Sequence, residues 1–422
     1  MPSRPYVLLS CATSADGYLD DASPDRLILS GPVDLDRVDD ERAGCDAIVV
    51  GANTVRKDNP RLLIRDPRRS ARRTARGLPA HPARVTLTAT GDLDPAARFF
   101  APGALRLVYC ATPALGRARD RLKDTAVIID AGDPLSLSFM LEDLCTERGI
   151  RRVMVEGGAR LLGDFLADGL ADEFQQAVAP FFIADPRAPR LDLPPRPVPA
   201  PNPNPNPKPT FAPNRTFTPK PTSSPNSTST TNSTSTPNPT SSPTSHNFPD
   251  GPMTLAETRR VGDVTLLRYL LGPGGPDHRF LRWAVELARL CPPSPTAFSV
   301  GAVIVAEDGE VLATGFSREQ EDHDHAEEVA LRKLGPDPRL RHATIYSSLV
   351  PCGARASRPL TCVQHIVAAG IPRVVFAWRE PRLFTDGEGA EQLRAAGVAV
   401  TEVPELATQA RAVNAHLVES AT

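Results

Sequence analysis

Residues 343–378 read ATIYSSLVPCGARASRPLTCVQHIVAAGIPRVVFAW, and this stretch decides the fold of the C-terminal part of the chain. Two short apolar runs rich in β-forming residues, ATIYSSL and RVVFAW, flank a helical pattern at 362–369. Such runs, alternating with helices, are typical of a mostly parallel sheet covered on both faces. Cys352 follows the first predicted strand, and Cys362 begins the helix.

The same alternation extends outward from this stretch. Within 277–422, helices are predicted at 277–290, at 325–334 and near 405–418, and SVGAVIVA and EVLATGFS are predicted strands. Residues 1–190 show a similar pattern, with helices predicted near 33–43, at 135–148 and near 159–168. The predicted strands of that region are YVLLSCATS, CDAIVVGA, RVTLTAT, LRLVYCA, AVIID, RRVMVEGG and FQQAVAPFFI. The chain is therefore predicted to contain two α/β units.

Three residues of the C-terminal unit form the set that a catalytic zinc site needs. His325 lies two residues before Glu327, and Cys352 and Cys362 follow. One imidazole and two thiolates leave a fourth tetrahedral position for water. His325 and Cys362 each begin a predicted helix, and the N-termini of helices favour thiolates. Glu327 can take a proton from that water and pass it to a leaving amine. The pattern is close to the H-x-E…P-C-x-x-C signature of zinc deaminases, although the cysteines here are separated by nine residues.

Two other interpretations of these residues remain open at this point. EDHDHAEE could be a solvated acidic helix with incidental cysteines, or the zinc could be purely structural and support oligomerisation. His323 is expected to be exposed, and His365 to be a helix-surface or packing residue. Four cysteines of the N-terminal unit are expected to be buried and inert: Cys11, Cys45, Cys110 and Cys145.

In the N-terminal unit, candidate site residues follow the predicted strands. Asp16 comes after the first strand, Gly51–Thr54 form a loop after CDAIVV, and Gly157-Gly158 end RRVMV and open a helix. Ligands of open α/β sheets bind outside the carboxyl ends of the strands, and a Gly-Gly pair at a helix N-terminus lets backbone N–H groups approach a phosphate. No G-x-G-x-x-G is present, so a Rossmann dinucleotide site is not indicated.

A tract of Pro, Ser, Thr and Asn at 194–251 interrupts the chain. It has almost no apolar side chains to bury, so we expect it to be disordered. Residues 253–271 after it predict a hairpin that turns at Val261-Gly262-Asp263, and a hairpin needs a sheet to join. We therefore predict an N-terminal domain of 1–193 plus 252–271, an insertion at 194–251 and a second domain at 277–422. An alternative to a passive insertion is that the tract binds a partner, such as an SH3-like groove.

Composition limits what the protein can do. Lys+Arg 48 and Asp+Glu 50 among 422 residues give a net charge of -2, which argues against a nucleic-acid partner. No apolar run is long enough for a membrane span, and the first twenty residues do not form a signal peptide. We expect a cytoplasmic protein in which the seven cysteines stay reduced.

The C-terminal motifs HAEEVAL, SLVPC and RPLTCVQHIVAAGIPRVVFA resemble the deaminase half of bacterial riboflavin-biosynthesis deaminase/reductases, which belong to the cytidine deaminase superfamily. The resemblance implies that His325, Cys352 and Cys362 bind Zn²⁺ and that Glu327 is the proton shuttle. Three positions depart from the family pattern: Val350 replaces a glutamate, Gly353-Ala354 replace Ser-His, and Ala297-Phe298-Ser299 replace Asn-Pro-Asn. These departures are on the substrate side of the site.

RPYVLLSCATSADGYL, GANTVRKDNPRLLIR and VMVEGGARLLGDFL resemble the reductase half of the same enzymes, which has a dihydrofolate-reductase-like fold. The resemblance covers nearly all of 4–190 and resumes at 253–271. It implies an NADPH site and a pyrimidine nucleotide site. The implied NADPH contacts are Gly51, Ala52, Thr54, Gly157, Gly158, Ala159 and Leu161. The implied substrate contacts are Asp16, Asn59, Arg65 and Glu156, with Arg65 on the phosphate.

The sequence thus predicts a bifunctional riboflavin-pathway enzyme with its two halves in reversed order. The deaminase would remove an amine from 2,5-diamino-6-ribosylamino-4(3H)-pyrimidinone 5′-phosphate, and the reductase would convert the ribosyl group to ribityl with NADPH. The alternative is a dCMP-type nucleotide deaminase fused to a stand-alone riboflavin-pathway reductase. The expected partners are a small pyrimidine nucleotide and a second copy of the chain. NADPH and NADH cannot be distinguished from the residues alone.

Overall fold

The computed structural model describes residues 4–23, 27–193, 253–379 and 388–418. The tract predicted to be a disordered insertion, 194–251, lies outside the described residues. Among those described, the first half of the chain contributes a sheet whose strands are β1 (Tyr6–Thr13), β2 (Ala47–Gly51), β3 (Ala83–Thr88), β4 (Arg106–Cys110), β5 (Val127–Asp130), β6 (Arg152–Glu156), β7 (Glu173–Val178), β8 (Thr254–Val261) and β9 (Val264–Leu270). Its helices are α1 (Pro32–Ala43), α2 (Ala52–Asp58), α3 (Pro67–Ala75), α4 (Leu115–Leu122), α5 (Leu137–Thr146) and α6 (Ala159–Ala167).

The strand order of this sheet is β5-β4-β3-β2-β6-β1-β7-β9-β8, and the strands from β5 to β7 are all parallel. Alternate residues of the central strands face opposite layers. Val49 packs with α5 and α6, whereas Ile48 and Val50 pack with α2 and α4. This explains why the strands read as continuous apolar runs, since both faces are buried.

The hairpin after the tract joins the same sheet. β9 pairs antiparallel with β7 from Glu173↔Leu270 to Val178↔Thr265, and β8 pairs with β9 across the turn at Gly262. Gly262 has a φ of 62°, which favours glycine in a tight hairpin turn. The sheet therefore continues on the far side of residues 194–252.

The second half forms an α/β/α layer structure around a five-stranded sheet. In chain order its elements are α7 (Pro276–Ala288), β10 (Gly301–Val305), β11 (Val311–Phe316), α8 (Ala326–Leu334), β12 (Thr344–Ser347), α9 (Cys362–Ala368), β13 (Arg373–Phe376), α10 (Gly389–Ala395), β14 (Ala399–Glu402), α11 (Ala407–Val413) and α12 (Ala415–Val418). The strand order among the described residues is β11-β10-β12-β13-β14. One face packs on α7 and α11, and the other packs on α8, α9 and α10.

The two halves contact each other through α7. Ala256 of β8 and Leu270 of β9 belong to the same buried apolar cluster as Phe280 and Trp283 of α7. The described residues before 194 and after 252 form one compact unit, so a domain junction at 272–276 stays a proposal.

The predicted fold class, a dihydrofolate-reductase-like half followed by a cytidine-deaminase-like half, is confirmed, but several elements differ from the sequence prediction. The predicted loop Gly51–Thr54 is the end of β2 and the first turn of α2. The single helix predicted near 405–418 is a 3-10 turn followed by α11 and α12. Sequence reasoning missed α3, α4, α10 and β14, which are short; α3 and α4 are also rich in arginine. Among the described residues, every helix is too short or too polar to cross a bilayer.

Candidate active sites

The structure brings the three predicted zinc ligands of the second half together. His325 Nδ1 lies 3.5 Å from Cys352 Sγ and 3.4 Å from Cys362 Sγ. His325 caps the N-terminus of α8, Cys352 follows the turn after β12, and Cys362 is the first residue of α9. The cap of α9 is reinforced by Thr361, whose side chain accepts a hydrogen bond from the Gln364 backbone N–H.

These distances fit a tetrahedral zinc ion. Zinc bonds of about 2.3 Å to sulfur and about 2.0–2.1 Å to nitrogen at a tetrahedral angle would place the ligand atoms about 3.6 Å apart. The three donor atoms lie within 4.8 Å of one another, and both thiols are buried. One nitrogen and two sulfurs from three separate elements thus converge as a set that leaves one coordination position open.

The groups around Cys352 favour its thiolate form. The side chains of Cys362 and His325 lower the pKa of Cys352, although its burial acts in the opposite direction. The backbone N–H of Cys362 also points at Cys352 Sγ, at 3.4 Å, as expected at a helix N-terminus that favours a thiolate.

Glu327 lies beside this ligand set. Its Oε2 is 3.3 Å from Cys362 Sγ, and its Oε1 accepts a hydrogen bond from Ser347 Oγ at 2.7 Å. Burial raises the pKa of Glu327, because the charged carboxylate loses hydration. A carboxyl group with a raised pKa next to the open position can both accept and donate a proton. Sequence reasoning missed Ser347, and its place at the end of a strand beside the site was the only available signal.

The departures from the family pattern have a structural counterpart in α10. A Cβ atom on Gly353 would lie 2.8 Å from Gln392 Nε2, and one on Gly389 would lie 1.9 Å from the Pro351 carbonyl oxygen. The Pro351–Gly353 turn is therefore packed directly against α10. A side chain at position 353 would have to displace Gln392.

In the first half, the predicted cofactor residues come from neighbouring parallel strands. β2 and β6 are paired, so Gly51 and Glu156 end at the same edge of the sheet. Gly157 and Gly158 have φ values of 71° and 85°, and a Cβ atom on either would lie 3.5 Å from Thr54. Thr54 and the Gly-Gly pair therefore face each other across the N-termini of α2 and α6.

The remaining cofactor candidates differ in exposure. Gly51 and Ala52 are half-buried at the start of α2, Ala159 begins α6, and Leu161 is buried in the core with 8% exposure. At Leu161, only the backbone of the first helical turn is therefore suited to contact a ligand.

The predicted substrate residues already have partners within the protein. Asp16 accepts hydrogen bonds from Ser14 Oγ and from the backbone N–H groups of Ile183 and Ala184. Desolvation alone would raise the pKa of Asp16, but these hydrogen bonds outweigh it and lower the pKa to about 2. Asn59, in a left-handed conformation at the end of α2, accepts from the Arg98 backbone N–H. Arg65 donates to Asp39 and to the Leu35 carbonyl oxygen, and its side chain remains 55% exposed.

Glu156 is paired with an arginine of α1. Arg42 forms a bidentate ion pair with Glu156, at 2.6 Å and 2.5 Å. Desolvation would lower the pKa of Arg42, but the Glu156 charge outweighs it and raises that pKa. Glu156 therefore has a charged, bidentate partner at the carboxyl edge of the sheet.

The two sheets and their sites define a dihydrofolate-reductase-like reductase joined to a zinc deaminase region. A family model described as the RibD C-terminal domain matches residues 5–193, and one described as the cytidine and deoxycytidylate deaminase zinc-binding region matches residues 275–378. The chain is 34% identical over 187 residues to a 2,5-diamino-6-ribosylamino-4(3H)-pyrimidinone 5′-phosphate reductase of Archaeoglobus fulgidus, covering 44% of this chain and 85% of that relative. The chain belongs to this RibD reductase family.

Two further relatives are matched over a smaller share of their own length. A diaminohydroxyphosphoribosylamino-pyrimidine deaminase of Schizosaccharomyces pombe is 34% identical over 152 residues, which are 35% of this chain and 37% of the relative. The riboflavin biosynthesis protein RibD of Aquifex aeolicus is 35% identical over 142 residues, which are 33% of this chain and 37% of the relative. The chain therefore spans well under two thirds of these two relatives.

Proposed function

We propose that the protein is a bifunctional enzyme of riboflavin biosynthesis that deaminates a diaminopyrimidine ribosyl phosphate and reduces its ribosyl group with NADPH. The observation that carries the proposal is the convergence of His325, Cys352 and Cys362 beside the buried carboxyl group of Glu327. It is supported by the similarity to relatives whose names state each of the two activities. In this proposal the first domain is 1–193 plus 252–271, and the second is 277–422.

In the deaminase half, His325, Cys352 and Cys362 would hold the zinc ion. When bound, zinc supplies a Lewis acid that makes a water molecule more acidic. Glu327 accepts the proton from that water at one carboxylate oxygen, while Ser347 keeps the carboxyl group oriented. Glu327 then donates the proton to the exocyclic amine, so that the C–N bond is replaced by a C–O bond and ammonia leaves.

In the reductase half, the backbone at Gly157, Gly158 and Ala159 would bind the cofactor phosphates at the N-terminus of α6. Asp16, Asn59, Arg65 and Glu156 would surround the substrate. Arg65, whose side chain is 55% exposed, would exchange its contacts with Asp39 and Leu35 for the phosphate. NADPH, when bound, supplies the hydride for C1′ of the opened ribose. The protein contributes the binding sites, the orientation of cofactor and substrate, and the charge of Glu156.

A nucleotide deaminase acting on dCMP is the second candidate for the C-terminal half. The absence of the family glutamate at Val350 and of Ser-His at Gly353-Ala354 favours it. Ammonia release from the purified zinc-loaded chain, measured with dCMP and with the diaminopyrimidine ribosyl phosphate, distinguishes the two. We expect release from the diaminopyrimidine, and release from dCMP alone would refute the proposed activity of this half.

The order of the two reactions is also testable. The A. fulgidus relative is named as a reductase of the diamino compound. NADPH oxidation with the diaminopyrimidine, and separately with its deaminated form, shows which compound the reductase half prefers. We expect the diamino compound to be a substrate in its own right.

Replacement of Gly158 by valine is expected to weaken NADPH binding. The residue has a φ of 85°, and a side chain there would extend toward Thr54, into the space proposed for the cofactor phosphates. We expect the KM for NADPH to rise by about tenfold or more, with ammonia release unchanged. Gly149→Val is the matched control, because Gly149 also has a positive φ (66°) but has no atom within 4 Å of its Cβ position. An equal KM change in both variants would indicate backbone strain rather than a cofactor site.

The remaining parts of the proposal concern assembly and location. We propose a homodimer that works in the cytoplasm. Seven free cysteines support a reducing environment. Sedimentation at several protein concentrations tests the dimer.

A further inference from the structure

The loop between the two zinc-binding cysteines is attached to the rest of the protein by very few side chains. Residues 354, 356, 357, 359 and 360 of this loop are exposed, whereas Arg355 and Arg358 turn inward. The side chain of Arg355 is only 3% exposed, which is unusual for an arginine on an otherwise exposed loop. Since the loop carries a zinc ligand at each end, its conformation determines where the two sulfurs lie.

Arg355 connects this loop to α8, the helix that carries His325 and Glu327. Its Nη1 donates to Glu328 Oε2 at 3.1 Å, and its Nη2 donates to the His323 carbonyl oxygen at 3.3 Å. Glu328 directly follows Glu327 and is itself buried. The guanidinium group thus spans the chain on both sides of the His325–Glu327 pair.

The segment before His325 is fixed in a similar way. Asp324 is 1% exposed and accepts hydrogen bonds from the backbone N–H groups of Gln320 and Glu321 and from Arg332. Arg358 of the inter-cysteine loop reaches the same carboxylate at 3.2 Å. Residues on both sides of His325 are therefore held to the loop that supplies Cys352 and Cys362.

We propose that Arg355 is a positioning residue that holds the inter-cysteine loop against Glu328 and thereby sets the zinc affinity of the His325–Cys352–Cys362 site. The guanidinium of Arg355 is hydrogen-bonded to Glu328 and to the His323 carbonyl oxygen and not to a ligand atom, so it acts through the geometry of the ligands. Partners of this kind that orient metal ligands commonly change metal affinity about 10–100-fold when they are removed. The proposal rests on the zinc site and not on the identity of the substrate.

Arg355→Met tests the proposal in the full-length chain by competition for zinc with a chromophoric chelator. We expect the Kd for zinc to rise about 10–100-fold. NADPH oxidation by the other half of the same sample serves as the folding control. Arg339→Met is the matched control, because Arg339 is an ion-paired arginine of the same half whose side chain is 47% exposed. Its zinc affinity should equal that of the parent.

A double-mutant cycle with Glu328→Gln separates a specific bridge from a general loss of packing. If the two residues act through their mutual contact, the double variant should bind zinc no more weakly than Arg355→Met alone. Arg355→Lys, which keeps the charge but not the fork, should be intermediate. Zinc affinities of Arg355→Met within twofold of the parent, or losses that multiply in the double variant, would overturn the proposal. Should Arg355→Met fail to fold, the Arg355→Lys and Glu328→Gln variants are judged by the same twofold limit.

Discussion

Glu327→Gln should lose ammonia release by about 10²–10⁴-fold while the protein keeps its zinc. Glutamine has the same shape and can still accept the hydrogen bond from Ser347 Oγ, but it cannot take up a proton. Zinc should remain because the proposed ligands are His325, Cys352 and Cys362, and Glu327 only borders them. Steady-state ammonia release and zinc content by atomic absorption, measured on the same sample, check both parts.

Two controls make this result specific. Glu310→Gln changes a glutamate whose side chain is 60% exposed in the same half, and its deamination rate should equal that of the parent. The reductase activity of Glu327→Gln should also be unchanged, whether the diamino or the deaminated compound is supplied. A rate within tenfold of the parent would show that Glu327 is not the proton shuttle.

Asp172→Asn should produce the largest loss of stability. Asp172 precedes β7, is fully buried, and pairs with Arg4 at 2.6 Å and with Arg282 of α7, while its Oδ2 also accepts from the Val7 backbone N–H. Burial alone would raise the pKa of Asp172, but the two arginine charges outweigh it and lower that pKa. Removing one partner of a buried ion pair typically costs about 3–5 kcal/mol.

Because Arg282 belongs to the second half, this loss should appear in both activities on heating. We expect the free energy of unfolding to fall by about 3–5 kcal/mol, and the deaminase and reductase to inactivate at the same lowered temperature. Asp92→Asn is the control, since Asp92 and Arg121 form an exposed pair, and such pairs contribute about 0–1 kcal/mol. A change for Asp172→Asn as small as that of the control would mean that the two halves are not coupled through α7.

The folded pKa of Asp172 also predicts the pH dependence of this contribution. A carboxyl group whose folded pKa is depressed stabilises the protein above its unfolded pKa. The contribution should therefore be complete at neutral pH and be lost as the pH falls through the depressed pKa of the folded state. Unfolding at pH 7 should reveal the full difference between Asp172→Asn and the parent.

The strands could be predicted because their chemistry is local. Val49 and its neighbours in β2 are apolar on both faces, as a central parallel strand requires, and the turn at Gly262 needs a residue that accepts a positive φ. The hairpin could be assigned to the first sheet because two isolated strands are too few to be stable. Helices such as α3, with six charged or polar residues in its nine positions, gave no such pattern.

The site could be predicted only where its residues have a distinctive chemistry. His325, Cys352, Cys362 and Glu327 were found because a zinc site needs those residue types. Ser347, Arg42 and Arg355 could not be assigned, because a serine at a strand end or an arginine on a helix has many common roles. Their functions follow from tertiary contacts. Arg42 and Glu156 are 114 residues apart in the sequence, and Ser347 and Glu327 are 20 apart.

The most direct test of the bifunctional account is a single preparation of the full-length chain assayed for zinc and for both half-reactions. With the diaminopyrimidine ribosyl phosphate and NADPH supplied together, we expect about one zinc per chain, ammonia release and NADPH oxidation. Treatment with a chelator should abolish ammonia release and leave NADPH oxidation intact, and added zinc should restore the first activity. Ammonia release that persists without zinc, or NADPH oxidation that is absent with either form of the pyrimidine, would contradict the account.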